Sequence, residues 1–405
     1  MAAYGQAEAD HSSEVSAFRE AEKKFKNTVY VEDALELGAV DLHSSSGGSG
    51  VVQSSRCTLF GKECNKYVLE GYEGLTIITD CLTEKQQVEL SHHSLSESLA
   101  PPNRTNLHCH EITDEMKSVL QSSIWRCDGP KLDLEDARAY ERSAGPDTTR
   151  RSGVKKSTNK KQKREIVSNG ALFRMPSGTT LSKVRWATLG YQYNWTERSY
   201  SADQHVSFPS QLGELAVKIA EKCGESILPQ AGIVNFYPEG QVMGGHVDDG
   251  EEARENPVVS VSIGSPCVFI LGGHTKEEVP VALLLRSGDC VVLGGKARLR
   301  YHGVSKVFVA SHGPPPSLLP SQASTYTLKE GEDEAGGIHC AGCPHFLSLN
   351  PPSSSNPNHE NDSRACPCTC GRVDSREVSR VLKVLACVRI NLNLRQVYSS
   401  QAKSA

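Results

Sequence analysis

Between residues 231 and 304 apolar positions come in short runs, at 258–263, 268–271, 282–285 and 290–293, each closed by turn-forming residues. The breaks are Gly264-Ser265-Pro266, Gly272-Gly273 and Ser287-Gly288-Asp289. Short strands at this spacing predict an antiparallel sandwich or barrel rather than a parallel α/β sheet. A last run, 388–397, alternates strictly, with Ile390, Leu392 and Leu394 on one face and Arg389, Asn391, Asn393 and Arg395 on the other. Helical spacing occurs at 15–26 through Ala17, Phe18, Ala21 and Phe25. It recurs after Thr83, a predicted N-cap, in the stretch from Phe208-Pro209-Ser210 to Lys222, and at 377–385. In the third of these Leu212, Leu215, Ala216 and Ile219 share the inner face. Residues 75–78 form a further strand candidate. The expected fold class is therefore a mainly β core with helices packed outside, α+β overall.

Between these elements lie polar stretches. Residues 42–53 are rich in Ser and Gly and read as a linker. Residues 128–169 are poor in apolar side chains, and eight of the fifteen positions from Arg150 to Arg164 are Lys or Arg. Such a run is either a phosphate-contacting arm or import signal, or a solvated insertion. Residues 311–376, dominated by Pro, Ser, Gly and Asn, read as a disordered insertion. That insertion carries Cys340-x-x-Cys343 and then Cys366-x-Cys368-x-Cys370. The first is half of a zinc site, but the second has the wrong spacing to complete it, so zinc is not expected.

The 405 residues, 38% hydrophobic and 23% charged, are ordinary for a globular protein. A formal net charge of −4 excludes a wholly basic nucleic-acid binder and confines any such role to local patches. No apolar run reaches the roughly 18 residues of a membrane span, so no membrane association is expected. Fourteen cysteines behind an acidic, non-apolar N-terminal stretch suggest free thiols and an intracellular protein, in cytoplasm and nucleus with the mitochondrion as a further compartment.

Chemistry concentrates around Gly244-Gly245-His246-Val247-Asp248-Asp249. A histidine and an aspartate two apart on an extended segment face the same side and reach one metal. His302 supplies a third ligand after several strands have left and returned. Two histidines and one carboxylate with open positions form the facial triad of non-haem Fe(II) oxygenases. Asn235 and Tyr237 share a face upstream, and the polar side of 388–397 presents two arginines suited to bidentate capture of a carboxylate. Trp186, Tyr191, Tyr193 and Trp195 gather four of the fifteen Trp and Tyr within ten residues. Such aromatics serve either as core or as platforms for stacking on bases.

Taken in order, Asn235-x-Tyr237, His246-x-Asp248, His302 and Arg389-x-Asn391-x-x-x-Arg395 resemble the AlkB-type Fe(II)/2-oxoglutarate dioxygenases. Residues 186–195, Ser199-Tyr200-Ser201-Ala202-Asp203 and Arg395-Gln396-Val397 resemble the AlkB homologue 1 branch of that family. The resemblance implies a double-stranded β-helix, or jelly roll, at 231–310 plus 377–398. Composition marks 1–56 as a tail with a short helix and a Ser/Gly linker, and the resemblance implies an N-terminal extension with a nucleotide-recognition lid at 57–230. Within it, His246, Asp248 and His302 would bind iron, with Arg389 counted among the catalytic residues. Asn235, Phe236, Tyr237, Arg389, Asn391 and Arg395 would bind 2-oxoglutarate, and Trp186, Tyr191, Gln192 and Tyr193 would meet the substrate base. The implied reaction consumes dioxygen and 2-oxoglutarate and hydroxylates the methyl carbon of a methylated base in tRNA or DNA. It releases formaldehyde, succinate and carbon dioxide. A monomer acting on nucleic acid is expected, with a protein (histone) oxygenase or a catalytically silent nucleic-acid-binding protein as alternatives.

Overall fold

Thr83 caps the first long helix as its sequence predicts: its hydroxyl accepts from Gln86 N at 3.2 Å while the Gln86 side chain accepts from Thr83 N at 2.9 Å. That helix is α3 (Glu84–Leu95). It follows α1 (Ala17–Lys26) and α2 (Val31–Glu36) and precedes α4 (Ser210–Lys222). The computed structural model describes residues 15–44, 52–109, 183–238, 240–309, 381–382 and 384–399. The basic run of 128–169 and the insertion of 311–376 with its five cysteines lie outside the described residues.

The strands are β1 (Val40–Asp41), β2 (Val52–Leu59), β3 (Lys62–Leu69), β4 (Leu75–Thr79), β5 (Arg104–Thr105), β6 (Trp186–Asn194), β7 (Ser199–His205) and β8 (Ala231–Pro238). They continue with β9 (Met243–His246), β10 (Val258–Gly264), β11 (Cys267–Leu271), β12 (Val281–Leu285), β13 (Cys290–Leu293), β14 (His302–Val307) and β15 (Val388–Arg395). One sheet runs β1-β12-β11-β14-β9 and the other β2-β3-β4-β13-β10-β15-β8-β6-β5, with β7 paired to β6. All pairs are antiparallel except β1 with β12. Two facing sheets, with β8, β10, β13 and β15 in one and β9, β11, β12 and β14 in the other, form the antiparallel sandwich that the strand spacing predicts, arranged as the jelly roll that the resemblance implies.

Alternation along each strand divides the interior in two. On β8, β10 and β15 the apolar faces, with Val234, Phe236, Val259, Val261, Ile390, Leu392 and Leu394, join Leu90, Leu212, Leu215, Ile219 and Leu385 in a core between the large sheet and its helices. The opposite faces look into the space between the sheets, where Tyr237, Phe269, Leu271, Leu293 and Val304 pack. A third cluster seats Phe18 and Phe25 of α1 and Ala34 of α2 on the outer face of the small sheet, against Val268, Ile270 and Leu284. The layers therefore run helix, sheet, sheet, helix. The apolar groups of one strand fix its position, and its polar groups are held between the sheets.

The domain boundaries expected from sequence do not follow the observed layers. Residues expected as a tail supply α1, α2 and β1, all packed on the small sheet, and the boundary at residue 56 runs through β2. The extension likewise adds β2 to β6 to the large sheet rather than forming a separate body. Composition conceals this because α1 is charged on one side, and only its Phe18 and Phe25 are buried.

Within α3 Glu89 is 2% exposed, has no hydrogen bond at either carboxylate oxygen, and has Lys85 Nζ at 3.8 Å. Burial, opposed only by Lys85, pushes its carboxyl up to about 8. The unfolded group ionises near 4.5, so the folded state holds an extra proton between that value and about 8 and loses stability as pH rises across this window. Glu89→Gln removes the dependence. Thermal unfolding at pH 8.5 is expected to show the variant melting a few degrees higher than the parent, with the difference gone at pH 4.5.

Candidate metal centre

Register places the two histidines. β14 pairs with β9 so that His302 lies directly opposite His246, and their rings come to 4.4 Å between centroids. Asp248 follows two residues after His246 and turns the same way. His246 Nε2 lies 3.7 Å from Asp248 Oδ1, and His302 Nε2 lies 3.8 Å from Asp248 Oδ2. One ligand atom from each residue falls within 4.8 Å of the others, and this is the only such group of potential ligands among the described residues. His246 Nδ1 lies 3.0 Å from the Gly244 carbonyl and His302 Nδ1 lies 3.1 Å from the Arg300 carbonyl. Each Nδ1–H donates to its carbonyl, so each Nε2 lone pair is directed at the common point, the tautomer a metal requires. Burial and the neighbouring His246 push His302 down to about 4, which keeps it neutral and able to donate its lone pair.

The third ligand is held by charge. Burial alone would raise the Asp248 carboxyl, but Arg395, then His302 and His246, hold it well below the usual carboxylate range. Arg395 Nη2 donates to Asp248 Oδ2 at 3.2 Å and its Nη1 to Glu251 Oε1 at 2.5 Å. Glu251 Oε2 accepts from Arg298 Nη2 at 2.9 Å, and Arg298 returns to the same loop through the Asp248 carbonyl at 2.6 Å and the Asn256 carbonyl at 2.9 Å. Glu251, Arg298 and Arg395 are 1%, 2% and 3% exposed. The loop after β9 is thus wound around a buried guanidinium, with two carboxylates and two guanidiniums alternating.

Behind the triad lies a second cationic position. Arg389 is 2% exposed, and its Nη2 donates to Ser262 Oγ at 2.9 Å while Nε and Nη1 have no partner. Its guanidinium stands over the Tyr237 ring, 5.3 Å from the centroid, and β15 pairs with β8 so that Arg389 faces Tyr237 and Asn391 faces Asn235. A buried cation with two unpartnered nitrogens suits a carboxylate, since an unsatisfied buried donor costs about 1–3 kcal/mol. The residues present therefore fit both a divalent metal at the triad and a diacid reaching from it toward Arg389. Asn391 is committed elsewhere: its Nδ2 donates to Ser260 Oγ at 2.8 Å and to the Val261 carbonyl at 3.1 Å.

Two expected residues are placed differently. Phe236, counted with Asn235 and Tyr237, points the other way on β8 into the helix-covered core. Strand alternation requires this of the middle residue of three. Gln192 is 3% exposed and spent internally, accepting from the Thr188 hydroxyl and donating to the Gly190 carbonyl at 2.8 Å. The aromatics are also divided. Trp186 and Tyr193 pack around Trp195 at 4.9 and 4.7 Å, and Tyr193 meets Tyr200 at 5.0 Å. Tyr191 instead contacts His205 and Tyr398. A register shift between Tyr191 and Tyr193 in the β6–β7 pairing breaks the alternation that would have joined them. Tyr193 reaches the metal loop: a Cβ on Gly250 would lie 2.6 Å from its ring. Arg198, at the hairpin tip, bonds Asp249 at 2.9 Å.

Sequence reading missed Glu251, Arg298, Ser262 and the approach of α1. Glu22 of α1 accepts from Gly245 N at 2.7 Å, and a Cβ on Gly245 would overlap the Phe18 ring. The available signals were slight, namely an acidic residue three after Asp248 and a glycine pair before His246.

Comparison with known proteins gives concordant matches. A family model described as the 2OG-Fe(II) oxygenase superfamily matches residues 152–395. The chain is similar to the DNA N(6)-methyladenine demethylase ALKBH1A of Arabidopsis thaliana, 30% identical over 347 residues that cover 79% of this chain and 93% of that one. It is 34% identical over 221 residues to the nucleic acid dioxygenase ALKBH1 of Homo sapiens, covering 54% of this chain and 48% of the human one. To the tRNA demethylase abh1 of Schizosaccharomyces pombe it is 37% identical over 149 residues, 36% of this chain and 46% of the other. The matched region thus spans about half the length of the human and yeast relatives.

Removing one member of the charge chain leaves its partners buried and unpaired, at about 3–5 kcal/mol. Glu251→Ala is expected to lower stability on that scale in denaturant unfolding. Because Arg395, which orients Asp248, loses its own anchor, Mn(II) affinity by calorimetric titration is expected to fall by about 10- to 100-fold. Glu251→Gln, which keeps one acceptor, is expected to lie between.

Proposed function

Because the chain belongs to the 2OG-Fe(II) oxygenase superfamily, we propose that it oxidises the methyl group of a methylated base in nucleic acid, in tRNA or DNA, using Fe(II), 2-oxoglutarate and dioxygen. The observation that carries this reading is the pairing of the triad with the buried, half-partnered Arg389. The metal and its cosubstrate together supply the oxidation of a C–H bond by dioxygen, with 2-oxoglutarate leaving as succinate and carbon dioxide. Everything else falls to the chain.

Asp248 and the Nε2 atoms of His246 and His302 would hold the iron from one side and leave the other side open. Arg389, oriented by Ser262 and stacked on Tyr237, would take the distal carboxylate, and Asn235 would line the wall between. Arg395 would stand at the end nearest the metal. The apolar side chains between the sheets exclude water, which strengthens each of these charge contacts. The β6–β7 hairpin, with Trp186, Tyr193 and Trp195 interlocked, overhangs the loop after Asp248, where a flipped base would enter. An N-hydroxymethyl product then sheds formaldehyde without further help from the protein. The relatives named for demethylation of DNA and tRNA support a base as substrate.

Asp248→Ala is expected to abolish 2-oxoglutarate-dependent succinate formation. Arg389→Ala is expected to raise the KM for 2-oxoglutarate on the order of a hundredfold, the cost of losing a buried bidentate carboxylate contact. Mass spectrometry of nucleosides from methylated tRNA and DNA, incubated with iron and 2-oxoglutarate, is expected to show loss of a methylated base. Succinate release with every methylated nucleoside untouched would redirect the substrate assignment to protein.

A further inference from the structure

Several buried donors around the triad have no acceptor. Arg389 contributes Nε and Nη1, Arg395 contributes Nε, and the fourth is the Tyr200 hydroxyl. Tyr200 lies on β7, the outer strand of the hairpin, yet its ring turns inward against Tyr193. The Tyr398 hydroxyl, just past β15, donates to the Tyr200 carbonyl at 3.4 Å and ties this point of the hairpin to the core. Burial, opposed by the facing Arg395, raises the phenol far above its ordinary range, so it keeps its proton and serves as a donor.

The groups it faces are Arg395, Glu251, Asp248 and Tyr193. Neither carboxylate takes its proton. Both Glu251 oxygens are engaged by arginines, Asp248 Oδ2 accepts from Arg395, and Asp248 Oδ1 faces His246 Nε2 across the metal position. An unmade hydrogen bond in so dry a place is costly. The missing partner must accept hydrogen bonds, carry negative charge to suit the neighbouring guanidinium, and lie beside the metal position.

We propose that the Tyr200 hydroxyl, together with Arg395 Nε, donates to a carboxylate oxygen of 2-oxoglutarate at the end nearest the triad, making the hairpin a part of the cosubstrate site. This rests on the oxygenase reading of the centre. Tyr200 is a binding residue contributed by the element that overhangs the base position. Cosubstrate binding therefore adds one more contact to the hairpin, beside those that already tie it to the core and to the loop after Asp248.

Tyr200→Phe deletes the donor and keeps the ring packed on Tyr193. Titrating 2-oxoglutarate into Mn(II)-loaded protein, the variant is expected to bind about ten- to a hundredfold more weakly, the worth of one hydrogen bond to a charged acceptor. Its Mn(II) affinity without 2-oxoglutarate is expected to equal the parent's, and its KM for 2-oxoglutarate to rise with kcat little changed. Equal 2-oxoglutarate affinity in variant and parent overturns the assignment, as does a parallel loss of Mn(II) affinity, which would mean that Tyr200 acts by supporting Asp248. A parent protein that fails to bind 2-oxoglutarate overturns the oxygenase reading itself, a result distinct from either.

Discussion

A carboxylate that serves a metal from within a protein must stay ionised with one oxygen fixed and the other presented, in surroundings that disfavour charge. At Asp248 these demands are met by Arg395, and Arg395 is in turn balanced by Glu251 and Glu251 by Arg298. The four formal charges cancel in pairs, so the group is buried without net charge. Its members come from the loop after β9, the 3-10 turn Gly295–Leu299 and the end of β15. The chain thus ties the edge of one sheet to the centre of the other at the point where chemistry would occur.

The two-faced character of the strands makes this arrangement stable enough to hold. On β15 Ile390, Leu392 and Leu394 anchor the strand to the helices, and this fixes Arg389 and Arg395 on the reverse face six residues apart. The same division on β10 points Ser262 at Arg389 and Val261 at the helical core. The polar groups owe their position to apolar neighbours one residue away, so a change in the helix-side core would be transmitted to the site as a shift of a strand.

Much of this was legible in the order of residues. Alternation marked β15 and its two arginines, His-x-Asp marked one edge of the centre, and turn residues delimited β10 to β13. What was hidden depends on partners distant in sequence. Glu251 stands in an acidic run, Asp248-Asp249-Gly250-Glu251-Glu252, which read alone resembles a solvated loop, and only Arg298 and Arg395 make it internal. Phe236 and Gln192 were grouped with their functional neighbours by proximity in sequence, whereas the pleat and local backbone bonding turn them elsewhere. The register shift that separates Tyr191 from Tyr193 leaves no trace in the order of residues.

The contact between Glu22 of α1 and Gly245, 223 residues apart, bears on how the molecule is made. At a ribosome α1 emerges well before β9 and β11, the strands it covers, while Asp248 must wait a further 147 residues for Arg395. A nascent chain therefore holds α1 uncovered until β11 has been made, and Asp248 lacks its counter-charge until the end of β15. Such late, long-range closure belongs to slowly maturing β proteins with exposed apolar intermediates. The carboxylate of the triad is thus made long before the guanidinium that keeps it charged.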